Sequence, residues 1–190
     1  EINGRGPEIK KERLKELTDR LYRLQRGDVL FLSGSIPVSV PENIYSTIMQ
    51  QLKDKGVMIV VDATKDLLMN VLPYHPFLIK PNKLQELGAE NVLISMAGEG
   101  AVLITKHGAV YKKEAPEGKL VNGVGAGDSM VAGFMAGWLE KQDYEYAFHM
   151  GMAAGSASAF SENLATKAEI QAVYEQVTRI NLQEQTGGIL

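Results

Sequence analysis

The run Val124-Gly125-Ala126-Gly127-Asp128-Ser129 combines the makings of an anion cradle with a carboxylate. Three small residues let the backbone approach a phosphate without side chains in the way, and N–H groups that open a helix carry partial positive charge. An acid in such a place has two readings. Asp128 is either an ordinary helix N-cap or a base that takes the proton of an attacking hydroxyl. Familiar nucleotide patterns do not fit the stretch. A dinucleotide-binding loop needs a third glycine where Met130 stands, a P-loop needs Gly-Lys-Ser or Gly-Lys-Thr, and a nucleophile elbow needs Gly-x-Ser-x-Gly; the chain has none of them.

The elements that must position these residues follow from hydrophobic period. Ile9, Leu14, Leu17, Leu21 and Leu24 recur near helical spacing, and Asp28 to Leu32 then reads as a short buried strand. The step repeats with Ile44, Ile48, Met49 and Leu52 in a helix stopped by Gly56, followed by a strand over Val57 to Val61. Phe77 to Ile79 and Val92 to Ser95 continue the series, and Ala101 to Thr105 with Ala109 to Lys113 flank His107-Gly108 as a hairpin. Helices are predicted from about Asp128 to Lys141, Tyr144 to Phe160 and Lys167 to about Arg179. This alternation predicts an α/β fold: a three-layer, mostly parallel sheet with helices on both faces. Its 190 residues suit one compact domain.

Composition excludes several functions. With 45% hydrophobic and 23% charged residues the chain is globular, and a net charge of −3 gives no basic footprint for nucleic acid. Zero cysteines rule out disulfides and thiolate metal sites, which fits a reducing compartment. No apolar run reaches membrane-spanning length, so no membrane partner and a cytoplasmic location are expected. His75, His107 and His149 lack ligand spacing for zinc. Met130, Met135, Met150 and Met152 read as core filler on helix faces.

The glycine stretch, continued by Ala132-Gly133-Phe134, resembles the C-terminal signature of the ribokinase-like (PfkB) sugar kinases. Three further segments resemble that family in its order: Phe31-Leu32-Ser33-Gly34-Ser35-Ile36-Pro37, Ile79-Lys80-Pro81-Asn82 and Ser95-Met96-Ala97-Gly98-Glu99-Gly100-Ala101. The resemblance implies phosphoryl transfer from ATP to a sugar phosphate, in which a protein mainly positions the reactants and neutralises charge. It makes Asp128 the base and Gly125, Ala126 and Gly127 the cradle for the moving phosphoryl group. Asn3-Gly4-Arg5-Gly6-Pro7 favours the phosphosugar branch, with fructose 1-phosphate as acceptor; tagatose 6-phosphate, ribose and nucleosides are rivals. An inactive nucleotide-binding module is the reading from a different class.

Contacts implied by the resemblance fall at strand ends and on the late helices. Lys80 and Asn82 face ATP, and Asn82 meets hydrated Mg²⁺ through water; the bland reading of Lys80 is a surface lysine. Ser95, Gly98, Glu99 and Gly100 form a turn at a carboxyl edge, where parallel sheets place ligands, although such a turn also serves simply to start the next strand. Asn122 and Gly123 lead into the cradle on the nucleotide side. Ala154 and Ser161 border adenine, against the alternative that this small-residue stretch serves helix packing. Ser33, Gly34 and Ser35 touch the sugar phosphate or are only a loop. Asp62 is expected to cap a helix beginning near Thr64 and stands outside the site.

Two places suggest absent sequence. The chain opens at Glu1 inside a family-like segment, so it is expected to be a fragment, with the small β lid missing or incomplete and any homodimer formed through that lid. Between Lys80 and Val92 only about ten residues remain, barely enough for a crossover with a helix. A break near 82–84 is therefore expected. The family continues with Asn-x-x-Glu, whereas Gln85 stands three residues after Asn82 and Glu86 comes one position late, so the family glutamate is unassigned.

Overall fold

The computed structural model describes residues 8–63, 65–80 and 88–186. The chain divides into two compact units, Glu1–Val92 and Leu93–Leu190. Among the described residues there are six β-strands. The expectations for Asn3 to Pro7, Pro81, Asn82, Gln85 and Glu86, and for a break near 82–84, lie outside the described residues.

The first unit alternates helix and strand: α1 (Lys11–Leu21), β1 (Val29–Ser33), α2 (Ile44–Leu52), β2 (Met58–Asp62), α3 (Lys65–Val71) and β3 (Leu78–Ile79). β4 (Asn91–Ser95) begins here, and β1, β2, β3 and β4 pair in parallel. Successive residues of a strand point to opposite faces. Val60 and Val61 in β2 are 1% and 0% exposed, so both faces of this strand are covered, the pattern of a parallel sheet between helix layers. Met49 and Leu52 from α2 and Val71 from α3 are buried as well. By contrast α1 has no fully buried residue; its predicted apolar stripe is only half covered.

The second unit holds β5 (Ala101–Ile104) and β6 (Val110–Lys113), an antiparallel hairpin, then α4 (Ala126–Lys141), α5 (Tyr144–Phe160) and α6 (Lys167–Thr186). The hairpin turns at His107-Gly108 as the spacing predicts, with Gly108 at φ 79°. α4 and α5 are the main packing pair. A Cβ on Gly133 would lie 2.6 Å from the Ala154 Cβ and 2.7 Å from the Met150 carbonyl oxygen, so no other residue fits where these backbones approach. Met130, Met135 and Met152 are buried, as expected of core filler, while Met150 is half-buried against Gly137. α4 starts two residues earlier than predicted, because Gly125 in a left-handed conformation already turns the chain into the helix.

His149 is the buried histidine of this core, 7% exposed on α5. Desolvation lowers its pKa from 6.5 to about 4, the nearby Lys113 ammonium pushes the same way, and Asp143 opposes both. The folded state thus resists a proton that the unfolded chain accepts. Its contribution to stability is complete above pH 6.5 and is lost progressively as pH falls toward about 4. Urea midpoints are expected to fall between about pH 7 and pH 5, before most carboxylates titrate, and His149→Gln should flatten that slope. An unchanged slope in the variant would remove His149 as the cause.

Candidate active site

In the first unit the parallel register sets two candidate positions, Ser33 and Lys80, on either side of Asp62. Ser33 pairs with Asp62 at the ends of β1 and β2, and Val61 pairs with Ile79, which puts Lys80 next in line beyond β3. The Gly34 amide donates to the Asp62 carbonyl at 3.1 Å and the Lys80 amide to the Val61 carbonyl at 3.1 Å. Ser33, Gly34 and Ser35 are exposed, and Gly34 needs its glycine because φ is 84°.

Lys80 is not the free surface lysine of the bland reading. Its side chain is 12% exposed and its Nζ lies 3.1 Å from Asp62 Oδ1. Asp62, expected only to cap a helix, is therefore an ion-pair partner at the strand ends. Sequence reasoning missed it because the pairing depends on register between β2 and β3; the visible signal was that both residues end neighbouring apolar strands.

In the second unit the glycine loop is built from both sides. The Asn122 side chain accepts from the Val124 amide at 3.0 Å, an Asx turn, and donates to the Glu162 carbonyl at 3.0 Å. The Val121 and Asn122 amides both reach the Ala159 carbonyl. Ser158, 3% exposed, donates to the Ser129 hydroxyl at 2.9 Å and accepts from the Ala165 amide at 3.1 Å. These bonds clamp the entry to α4 against the end of α5. Gly123 is exposed with open space about its α-carbon, and the Leu164 side chain lies against Gly125.

Asp128 is not the N-cap. Gly125 holds that position with φ 79°, and Asp128 is the third residue of α4. The Gly127 and Asp128 amides donate to no acceptor among the described residues, as the opening turn of a helix leaves them. The exposed Asp128 carboxylate likewise has no hydrogen bond or ion pair among those residues. Donors and a carboxylate thus stand together unspent, an arrangement suited to an anion and a hydroxyl.

Other candidates separate. Ser95 ends β4, and Ala97–Glu99 form a single 3₁₀ turn whose Met96 amide and Gly100 carbonyl meet at 2.8 Å. Gly98 and Glu99 are exposed, whereas Gly100 has φ 102° and its α-carbon packs on the Lys113 carbonyl. Ala97 takes φ 51°, a left-handed conformation that costs on the order of 1 kcal/mol for a non-glycine residue. Ala154, 4% exposed, packs on Gly133 in the α4–α5 interface. Ser161 is the C-cap of α5 and donates to Glu169 Oε1 at 3.2 Å. Glu169 also accepts from the Thr166 amide and hydroxyl at 2.7 and 2.6 Å, and these bonds lower its pKa. This capping box at the start of α6, Thr166 to Glu169, escaped the sequence reading although its spacing was visible.

With this geometry in view, the chain can be compared with known proteins. The model of the pfkB family of carbohydrate kinases matches residues 82–171. The chain is 42% identical to the 1-phosphofructokinase of Bacillus subtilis over 93% of its length and 66% of that relative, and 30% identical to the D-tagatose-1-phosphate kinase of Bacillus licheniformis over the same shares. A crystal structure of a Staphylococcus aureus protein described as a phosphofructokinase superposes with a TM-score of 0.85 at 36% identity, over 92% of this chain and 64% of that one. The ribokinase of Arabidopsis thaliana superposes with a TM-score of 0.63 at 16% identity, a likeness of fold alone. The chain belongs to the pfkB family of carbohydrate kinases, with a ribokinase-like fold, and is most like 1-phosphofructokinase. It spans 66% of the length of the first curated relatives. Among the described residues, no helix is long and apolar enough to cross a membrane.

The Asp62–Lys80 pair is testable by a double-mutant cycle. Asp62→Asn alone should destabilise more than Asp62→Asn combined with Lys80→Met, because the single change strands a largely buried ammonium. A coupling of about 1 kcal/mol or more in urea unfolding is expected, above the usual value for exposed pairs. Additive effects would show that the two side chains do not stabilise one another.

Proposed function

We propose that this chain carries the catalytic part of an ATP-dependent sugar-phosphate kinase that converts fructose 1-phosphate to fructose 1,6-bisphosphate. The observation that carries the reading is the unspent first turn of α4, with the Gly127 and Asp128 amides and the Asp128 carboxylate all lacking partners among the described residues. In the reaction the sugar C6 oxygen forms a bond to the γ-phosphorus, and the bond from that phosphorus to the β–γ bridging oxygen breaks. ADP leaves with the electron pair. The two amides stabilise charge on the moving phosphoryl group, an effect on the order of a few kcal/mol per well-placed donor. Asp128 accepts the hydroxyl proton as the new bond forms and afterwards releases it to solvent.

Nucleotide contacts are assigned to Lys80, Asn82, Ser95, Gly98, Glu99, Asn122 and Gly123, and sugar-phosphate contacts to Ser33, Gly34 and Ser35. Asn82 would hold Mg²⁺ through water, and the ion would supply positive charge that offsets the charge of the phosphates. Among the described residues no three His, Cys, Asp or Glu side chains gather into a metal cluster. Such a sparse donor set fits Mg²⁺, which keeps most of its waters and rides on substrate phosphates.

Substrate choice rests on the relatives. Fructose and tagatose differ in configuration at one carbon, and both relatives' names specify a ketohexose 1-phosphate. The tagatose rival thus takes the 1-phosphate form, in place of the 6-phosphate expected from sequence. The higher identity to the fructose enzyme supports fructose 1-phosphate.

Two experiments on the full-length protein test the reading. Asp128→Asn should keep ATP binding while kcat falls by at least ~10²-fold; near-normal turnover would take the base role away from Asp128. In a coupled assay of ADP release, fructose 1-phosphate should give a higher kcat/KM than tagatose 1-phosphate, fructose 6-phosphate, tagatose 6-phosphate or ribose. A preference for tagatose 1-phosphate would hand the assignment to the rival, and no turnover with any of them would favour an inactive nucleotide-binding module.

A further inference from the structure

The Ser33-Gly34 peptide is held by a side chain from outside its own loop. Tyr45, on the first turn of α2, donates its phenol O–H to the Ser33 carbonyl at 2.7 Å, with the Gly34 carbonyl next nearest at 3.4 Å. On the other side the Gly34 amide donates to the Asp62 carbonyl. The loop is thus tied through its carbonyl to α2 and through its amide to β2, although Ser33, Gly34 and Ser35 are all exposed. A glycine at φ 84° has more conformations open to it than any other residue, so an unrestrained loop here would lose order readily. The tyrosine is half-buried, and burial raises its pKa, which keeps the phenol protonated and donating through the neutral range.

We propose that Tyr45 is a positioning residue for sugar-phosphate recognition, fixing the Ser33-Gly34-Ser35 loop in the conformation that meets the acceptor. The inference rests on the reading of that loop as a sugar-phosphate contact. Among the described residues the Tyr45 hydroxyl bonds to backbone carbonyls, so its effect belongs in acceptor affinity and not in the chemical step. Its loss leaves those carbonyls at an exposed site where water can serve them, so the effect on folding is small.

The test is Tyr45→Phe in the full-length protein, which deletes one hydroxyl and keeps the ring. With fructose 1-phosphate and ATP varied separately, KM for the sugar phosphate should rise about five- to tenfold, the equivalent of one lost hydrogen bond. The kcat and the KM for ATP should stay within about twofold, and the thermal midpoint within about 2 °C. An unchanged sugar-phosphate KM overturns the proposal, and so does an equal rise in both KM values with a lowered midpoint, which would mean general loosening. Ser33→Ala and Ser35→Ala separate the two layers of inference. If the serine variants raise the sugar-phosphate KM and Tyr45→Phe does not, only the role of Tyr45 falls; if none of the three moves it, the reading of the loop falls as well.

Discussion

The contact on which the second unit depends is the close approach of α4 and α5. Gly133 lies against Ala154 and the Met150 carbonyl, and Gly155 faces the Ala126 carbonyl and Met130. Two helices packed this closely gain dispersion contacts along their backbones that bulky side chains would forbid. The consequence reaches the loop before α4. Because Ala126 opens the helix and Gly155 packs on its carbonyl, the helix start cannot shift without opening the interface. Ser158 and Asn122 then fasten the same entry with hydrogen bonds to Ser129 and to the Glu162 carbonyl. A loop of small residues would otherwise carry too much conformational freedom to bind anything in a fixed geometry.

In the first unit the corresponding constraint is strand register. Parallel pairing is evenly spaced, so neighbouring strands that end in step deliver their last residues to one edge. Ser33, Asp62 and Lys80 arrive there from β1, β2 and β3. The ion pair between Asp62 and Lys80 is a product of that alignment, and it turns a flexible lysine into a charge of defined position.

Much of this was legible in the chain itself. Runs such as Val57 to Val61 are apolar at every position because both faces of β2 are covered, and that pattern survives without knowledge of any partner. The glycine stretch was visible as the opening of a helix, and Gly125 in its left-handed conformation does open α4. What stayed hidden was whatever depends on two segments meeting. Asp62 looked like a cap because its partner lies eighteen positions away on another strand. Tyr45 drew no reading from sequence, since nothing in the spacing announces that its hydroxyl reaches a carbonyl of β1.

The start of α4 also shows why a shift of two residues in helix boundary matters for chemistry. An aspartate at the N-cap spends its carboxylate on the amides of the first turn, which removes a base and an anion-binding donor together. Here a glycine occupies the cap in a left-handed conformation and offers no side chain. The helix forgoes a side-chain cap at a cost of roughly a few tenths of a kcal/mol, and both the carboxylate and the amides are left without that partner. Asp128, three residues past the cap, keeps the favourable interaction of an acid with the helix N-terminus without consuming the donors. Burial of the α4–α5 interface makes that loss tolerable, because the helix is held by packing and not by its cap.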